Sequence, residues 1–169
     1  RADPLNPDVA TMFLDNIDDH ETAANVEEWQ DVDFDVILDS GCSRHVVPPS
    51  CVPGYEVEPT HLSRTGHNFW TANGEPVADL GEVITNLGLM NDGVEGRTVS
   101  SVFAVCEMTS PLLSVHQICQ KGHTCTFTKD HALVTSSDGE VLGKFPHKGG
   151  TYKATLKLKA PTPFGGQGR

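Results

Sequence analysis

Long hydrophobic runs are missing from this chain of 169 residues. No stretch approaches the ~18 consecutive apolar residues of a membrane-spanning helix, and no signal peptide opens the sequence. Basic residues are scarce: twelve Lys and Arg stand against 23 Asp and Glu, a net charge of −11. That balance leaves no basic surface for direct binding of DNA or RNA. Cysteines are few and odd in number. Cys42, Cys51, Cys106, Cys119 and Cys125 lack the spacing of a small disulfide-bonded domain and read as free thiols in a reducing compartment. The length gives room for one domain with a modest core, which excludes two large lobes.

The charge is unevenly spread. Residues 1–35 hold eleven of the acidic side chains against the single Arg1, so the remainder carries twelve acidic and eleven basic groups and is nearly neutral. The expected organisation is an acidic, disordered leader over 1–33, a domain over 34–158 and a flexible linker over 159–169. A short helical turn is expected in the leader around Val9 to Leu14. The chain begins with Arg rather than Met and ends in a Pro- and Gly-rich stretch, the look of a segment of a longer polyprotein.

From Phe34 onward the pattern is one of short strands separated by turn residues. Phe34 to Leu38 is the first, and its continuous apolar character suggests burial on both faces. His67 to Ala72 and Pro76 to Thr85 flank Asn73-Gly74, a strong hairpin signal because both residues tolerate φ > 0. Thr98 to Cys106 reads as a long strand. Ser110-Pro111 resembles a helix start, with Leu112, Val115, Ile118 and Cys119 on one face and Lys121-Gly122 as the stop. Thr124 to Thr128, Ala132 to Thr135, Glu140 to Phe145 and Thr151 to Leu158 complete an all-β pattern with one short helix, a small barrel.

Asp39-Ser40-Gly41, placed directly after the first strand, carries the chemistry. Peptide hydrolysis by aspartates needs two carboxylates close enough to share a proton, one acting on water and one on the substrate carbonyl. The motif occurs once, so an active site requires two chains. Gly41 allows a tight turn, Ser40 offers a hydroxyl to lock the loop, and Trp70 with Thr71, Ala72, Asn73 and Gly74 suits a flap over an extended peptide. Such a pair titrates as a unit and favours an acidic to mildly acidic optimum.

DSGCSRHVVP (39–48), WTANGEPVADLGEV (70–83) and PLLSVHQICQKGHTCTFTKDHALV (111–134) resemble the protease region of copia-type long-terminal-repeat retrotransposon polyproteins. The resemblance runs from about Phe34 to Tyr152. It implies a retropepsin-like fold, aspartic endopeptidase activity in a homodimer, no cofactor, and the element's own polyprotein as substrate. It also implies a cytoplasmic location or one inside a particle built by the element. Asp39 takes the catalytic position, His45 recurs beside it, and Thr71 to Glu75 corresponds to the flap. The chain departs from the pattern at Cys42, where Ala is more usual, and at Leu112-Leu113-Ser114, where viral relatives have glycine third.

Other readings stay open. Cys42-x2-His45 and Cys119-x3-His123, with Cys125 and His116 nearby, have zinc-ligand spacing. Buried thiols acting as small hydrophobes explain Cys119 and Cys125 equally well. A Cys42 nucleophile with His45 as base suffers from the two lying on one turn, whereas triads unite distant segments. A catalytically silent domain that dimerises or binds peptide is the alternative outside enzymology.

Overall fold

Strand formation begins where acidic and apolar residues start to alternate. The computed structural model describes residues 28–163; the acidic residues before Glu28, with the turn expected around Val9 to Leu14, lie outside the described residues. Val32–Asp39 (β1) sends Phe34, Val36 and Leu38 into the core and leaves Asp33 and Asp35 in solvent. Burial on both faces was expected here. The strand instead follows the period-two rule, and Ile37 on its second face is only half-buried. β1 also takes in Val32 and Asp33, which pair with Leu158 and Lys157, so the folded part starts before the boundary read at residue 34.

After β1 come Val46–Val47 (β2), a four-residue helix His61–Arg64 (α1), Asn68–Trp70 (β3), Pro76–Ala78 (β4), Gly81–Asn91 (β5) and Val94–Val105 (β6). Then follow Leu112–Ser114 (β7), Val115–Gln120 (α2), Thr124–Phe127 (β8), His131–Thr135 (β9), Val141–Lys148 (β10) and Thr151–Leu158 (β11). The described residues are mostly β, with two short α-helices where the sequence suggested one. α1 is opened by a capping box between Thr60 and Ser63.

Nine strands join one sheet in the order β1-β7-β2-β6-β5-β11-β10-β9-β8, and β3 and β4 form a separate hairpin. β1 also pairs antiparallel with β11, from Val32 opposite Leu158 to Ile37 opposite Lys153. The pairings among β1, β7, β2, β6, β5 and β11 therefore run round a closed ring, and β10, β9 and β8 extend from it. Inside lie Phe34, Val36, Leu87, Val99, Phe103, Leu156 and Leu158, with Phe34 and Phe103 edge to face at 5.7 Å.

Two elements differ from the sequence pattern for identifiable reasons. Ser110-Pro111 does not start a helix. Leu112 and Leu113 are drawn into parallel pairing with Ile37 and Leu38, so the helix begins at Val115 with Ser114 as its cap. Only Ile118 of that helix is buried, and Cys119 is exposed. The stretch Pro76 to Thr85 is not one strand either, because Asp79 and Leu80 interrupt it. Asp79 Oδ1 accepts from Gly81 N–H at 3.0 Å, which ends β4 and starts β5.

The C-terminal segment is tied down beyond β11. Trp29 Nε1–H donates to Leu158 O at 3.3 Å and Tyr55 OH to Lys159 O at 2.5 Å. Asn86 Nδ2 donates to Ala160 O at 2.8 Å, so residues 159 and 160, placed in the linker by the sequence, belong to the fold. Among the described residues no helix is long and apolar enough to cross a membrane.

Phe103 is fully buried at the centre of this packing. Phe103→Ala is expected to lower the unfolding free energy by roughly 3–5 kcal/mol, read by urea titration. A loss below about 1 kcal/mol would show that the ring core does not depend on it.

Candidate active site

Asp39 is the last residue of β1 and stands opposite Ser114, the last residue of β7. The parallel pairing is extended by Ile37 N–H, which donates to Pro111 O at 3.1 Å. The chain then turns sharply: Gly41 N–H donates to Asp39 Oδ1 at 2.7 Å. A Cβ on Gly41 would lie 3.2 Å from that same oxygen, so glycine lets the amide close on the carboxylate. Ser40 is exposed, and Asp39 is half-buried.

Side chains from β7 and α2 lock the loop that follows. Ser114 Oγ donates to Cys42 O at 2.7 Å and accepts from Gln117 N–H at 3.1 Å, the latter bond capping α2. Gln117 Oε1 accepts from His45 N–H at 2.6 Å, and His45 Nδ1 accepts from Ser114 N–H at 2.9 Å. His45 is fully buried, with its ring 5.4 Å from that of Phe103. Accepting at Nδ1 fixes the tautomer with hydrogen on Nε2, and Nε2 has no partner among the described residues. Burial, reinforced by the adjacent Arg44 charge, holds the His45 pKa down to about 3.

Asp39 and Ser40 line a cleft of about 620 Å³ with Ile37, Leu38, Leu112, Phe127, Gly150, Thr151 and Tyr152. Of the residues singled out in the sequence, Asp39 and Ser40 line the cleft, Gly41 closes on the Asp39 carboxylate, and His45 is bonded to Ser114 beside it. Trp70, Thr71, Ala72, Asn73 and Gly74 are not among the residues lining that cleft. They do form a hairpin: Thr71 N–H donates to Glu75 O and Gly74 N–H to Thr71 O, each at 2.9 Å, with Gly74 at φ 84°. Trp70 is 67% exposed, while Phe69 packs against Val46, Ala104 and Cys106. His67 Nδ1 and Asp79 Oδ2, 3.0 Å apart, join the two arms at the base.

The rival chemistries find less support. Burial first, then the Asp39 charge, pushes the Cys42 thiol up to about 12, far from a thiolate nucleophile. The Nδ1 atom of His45 is already occupied by Ser114 N–H, and the Cys42 thiol donates to Asp39 O at 3.7 Å. Among the described residues no group of three or more His, Cys, Asp and Glu side chains is placed to hold a metal ion. Burial and the neighbouring Cys119 push Cys125 up to about 12.

Sequence reasoning missed Ser114 and Gln117 as anchors of the loop. The signal was present as Ser-x-x-Gln, the spacing of a capping box. Phe127 and Tyr152 were also missed as cleft residues, because strand patterns do not reveal which distant strands converge. Comparison with known proteins gave no match: no family model, no curated protein and no solved structure matches this chain.

The lowered pKa of His45 has a signed consequence. Between about pH 6.5 and about pH 3 the unfolded chain binds a proton at residue 45 that the folded chain does not. Stability contributed by this residue is therefore whole above pH 6.5 and falls as the medium is acidified. His45→Asn keeps an acceptor for Ser114 N–H and removes the titration. Urea denaturation at pH 7 and pH 4 is expected to show a larger loss in wild type than in the variant. Equal losses would mean that His45 is protonated in the folded state.

Proposed function

We propose that this chain is an aspartic endopeptidase of retropepsin-like architecture, active as a homodimer that brings two Asp39 carboxylates together. The observation that carries the reading is the placement of Asp39. It ends a strand held in parallel register by Leu112-Leu113-Ser114, accepts a hydrogen bond from Gly41 N–H, and lines an open cleft. The closed ring of six strand pairings and the separate β3–β4 hairpin also fit that architecture. The substrate class is an extended segment of a polyprotein, as the resemblance to copia-type elements implies.

In the dimer the two carboxylates share one proton, because like charges at that separation do not both ionise. The ionised Asp39 takes a proton from a water, and the water oxygen forms a bond to the scissile carbonyl carbon. The protonated Asp39 gives its proton to the carbonyl oxygen, leaving a neutral tetrahedral diol. Collapse of that diol breaks the C–N bond as the Asp39 that took water's proton passes it to the leaving nitrogen. A diol hydroxyl returns a proton to the other Asp39, giving a carboxylic acid, an amine and the original shared proton. The lock through Ser114, His45 and Gln117 fixes the loop that aims each carboxylate, which reduces reorganisation during the reaction.

A second reading, a silent domain that dimerises or binds peptide, is favoured by one observation: the cleft of a single protomer holds one carboxylate, Asp39. Processing of a longer precursor separates the two. Wild type is expected to cleave it at acidic to mildly acidic pH, and Asp39→Asn to lower the rate by at least about a thousandfold, read on gels from pH 4 to pH 8. The same fragments at the same rate from both proteins would leave the silent reading standing.

A further inference from the structure

The cleft beside Asp39 has an apolar wall for which the peptidase chemistry has no use. Phe127 on β8 is 41% exposed and turns its ring into the cleft, next to Tyr152 and Leu112. Its ring meets Tyr152 edge to face at 4.9 Å, and His147 stacks on Tyr152 at 4.4 Å. The tier is braced from behind. Tyr152 OH donates to Thr128 O at 2.7 Å, and His147 Nδ1 lies 3.0 Å from Lys129 O. Leu112 and Ile37 continue the apolar surface to the foot of the carboxylate.

The strand that carries Phe127 also carries open backbone groups. β8 pairs with β9 alone among the described residues. Thr128 N–H donates to His131 O, and Phe127 stands opposite Ala132 and Cys125 opposite Val134. The alternation of an antiparallel pair then turns the N–H and C=O of Phe127 and Cys125 away from β9, toward the free edge. An extended peptide laid along that edge finds main-chain partners there, and one of its side chains falls beside Phe127 on the same face.

We infer that Phe127 and Tyr152, with Leu112 and Ile37, form the subsite for a large apolar side chain of an extended peptide whose main chain pairs with the free edge of β8. The inference deepens the proposed function and rests on it for the position of the scissile bond, but the binding itself needs no cleavage. Selectivity then resides in β8 and β11, strands that follow the catalytic motif by more than eighty residues, rather than in the Asn73-Gly74 hairpin.

The full chain carrying Asp39→Asn is titrated calorimetrically with four capped octapeptides, identical and polar except for Leu, Phe, Ala or Asp at one central position. The Leu and Phe peptides are expected to bind at least about tenfold more tightly than the Ala and Asp peptides. Adding Phe127→Ala is expected to bring the ratio close to one, and Phe127→Leu to keep most of it, with thermal melts confirming that both variants fold. Equal binding of all four peptides, binding of none, or a ratio unchanged by Phe127→Ala overturns the subsite. A change confined to self-association, read by sedimentation, overturns it in favour of a contact between copies at this edge. Failure of the peptidase reading shows separately, as precursor cleavage that survives Asp39→Asn while the peptide preference persists.

Discussion

The exchange of hydrogen bonds between His45 and the start of α2 is the constraint on which the site depends. In an ordinary capping box the Gln117 side chain would reach back to the Ser114 amide. Here each group has taken a partner from the loop after Asp39: Ser114 N–H goes to His45 Nδ1, and Gln117 Oε1 takes His45 N–H. Ser114 Oγ then serves both Gln117 N–H and the Cys42 carbonyl. One short helix therefore holds its own first turn and the loop beside the carboxylate with the same three residues. Loss of any one of them leaves a buried polar group without its partner, which costs more than the bond itself contributes.

The same arrangement sets opposing demands on acidity. A pair of carboxylates that must share a proton works best where protons are available. His45 is held neutral in a fully buried position, and acid penalises that burial. If the two Asp39 residues do meet across a dimer axis, the lower edge of the working range is set by the loop anchor and not by the carboxylates alone.

Much of the β architecture was legible in the sequence. An apolar run marked β1, turn residues on either side marked β9, and Asn73-Gly74 marked the β3–β4 turn. Local signals failed where the chain offered two consistent choices. Ser110-Pro111 has the chemistry of a helix start, yet Leu112 and Leu113 contribute more as sheet partners of Ile37 and Leu38, and the cap moved to Ser114. The β5–β6 hairpin has its own mark in Asp92-Gly93, both at positive φ. At the site, Asp39, Ser40, Gly41 and His45 are close in sequence and were readable. Ser114, Gln117, Phe127 and Tyr152 are not, since they reach the loop only through a parallel strand pair and the return of β11.

That return has a temporal meaning. β1 finds most of its backbone partners in β11, from Val32 with Leu158 to Ile37 with Lys153. A chain emerging from the ribosome thus carries its Asp-Ser-Gly segment for more than a hundred residues before the strand that completes its pairing has been made. Local contacts cannot substitute, because the loop between them must close first. Whatever Asp39 does, it waits for the end of the domain, so synthesis order itself works as a delay timer on the site.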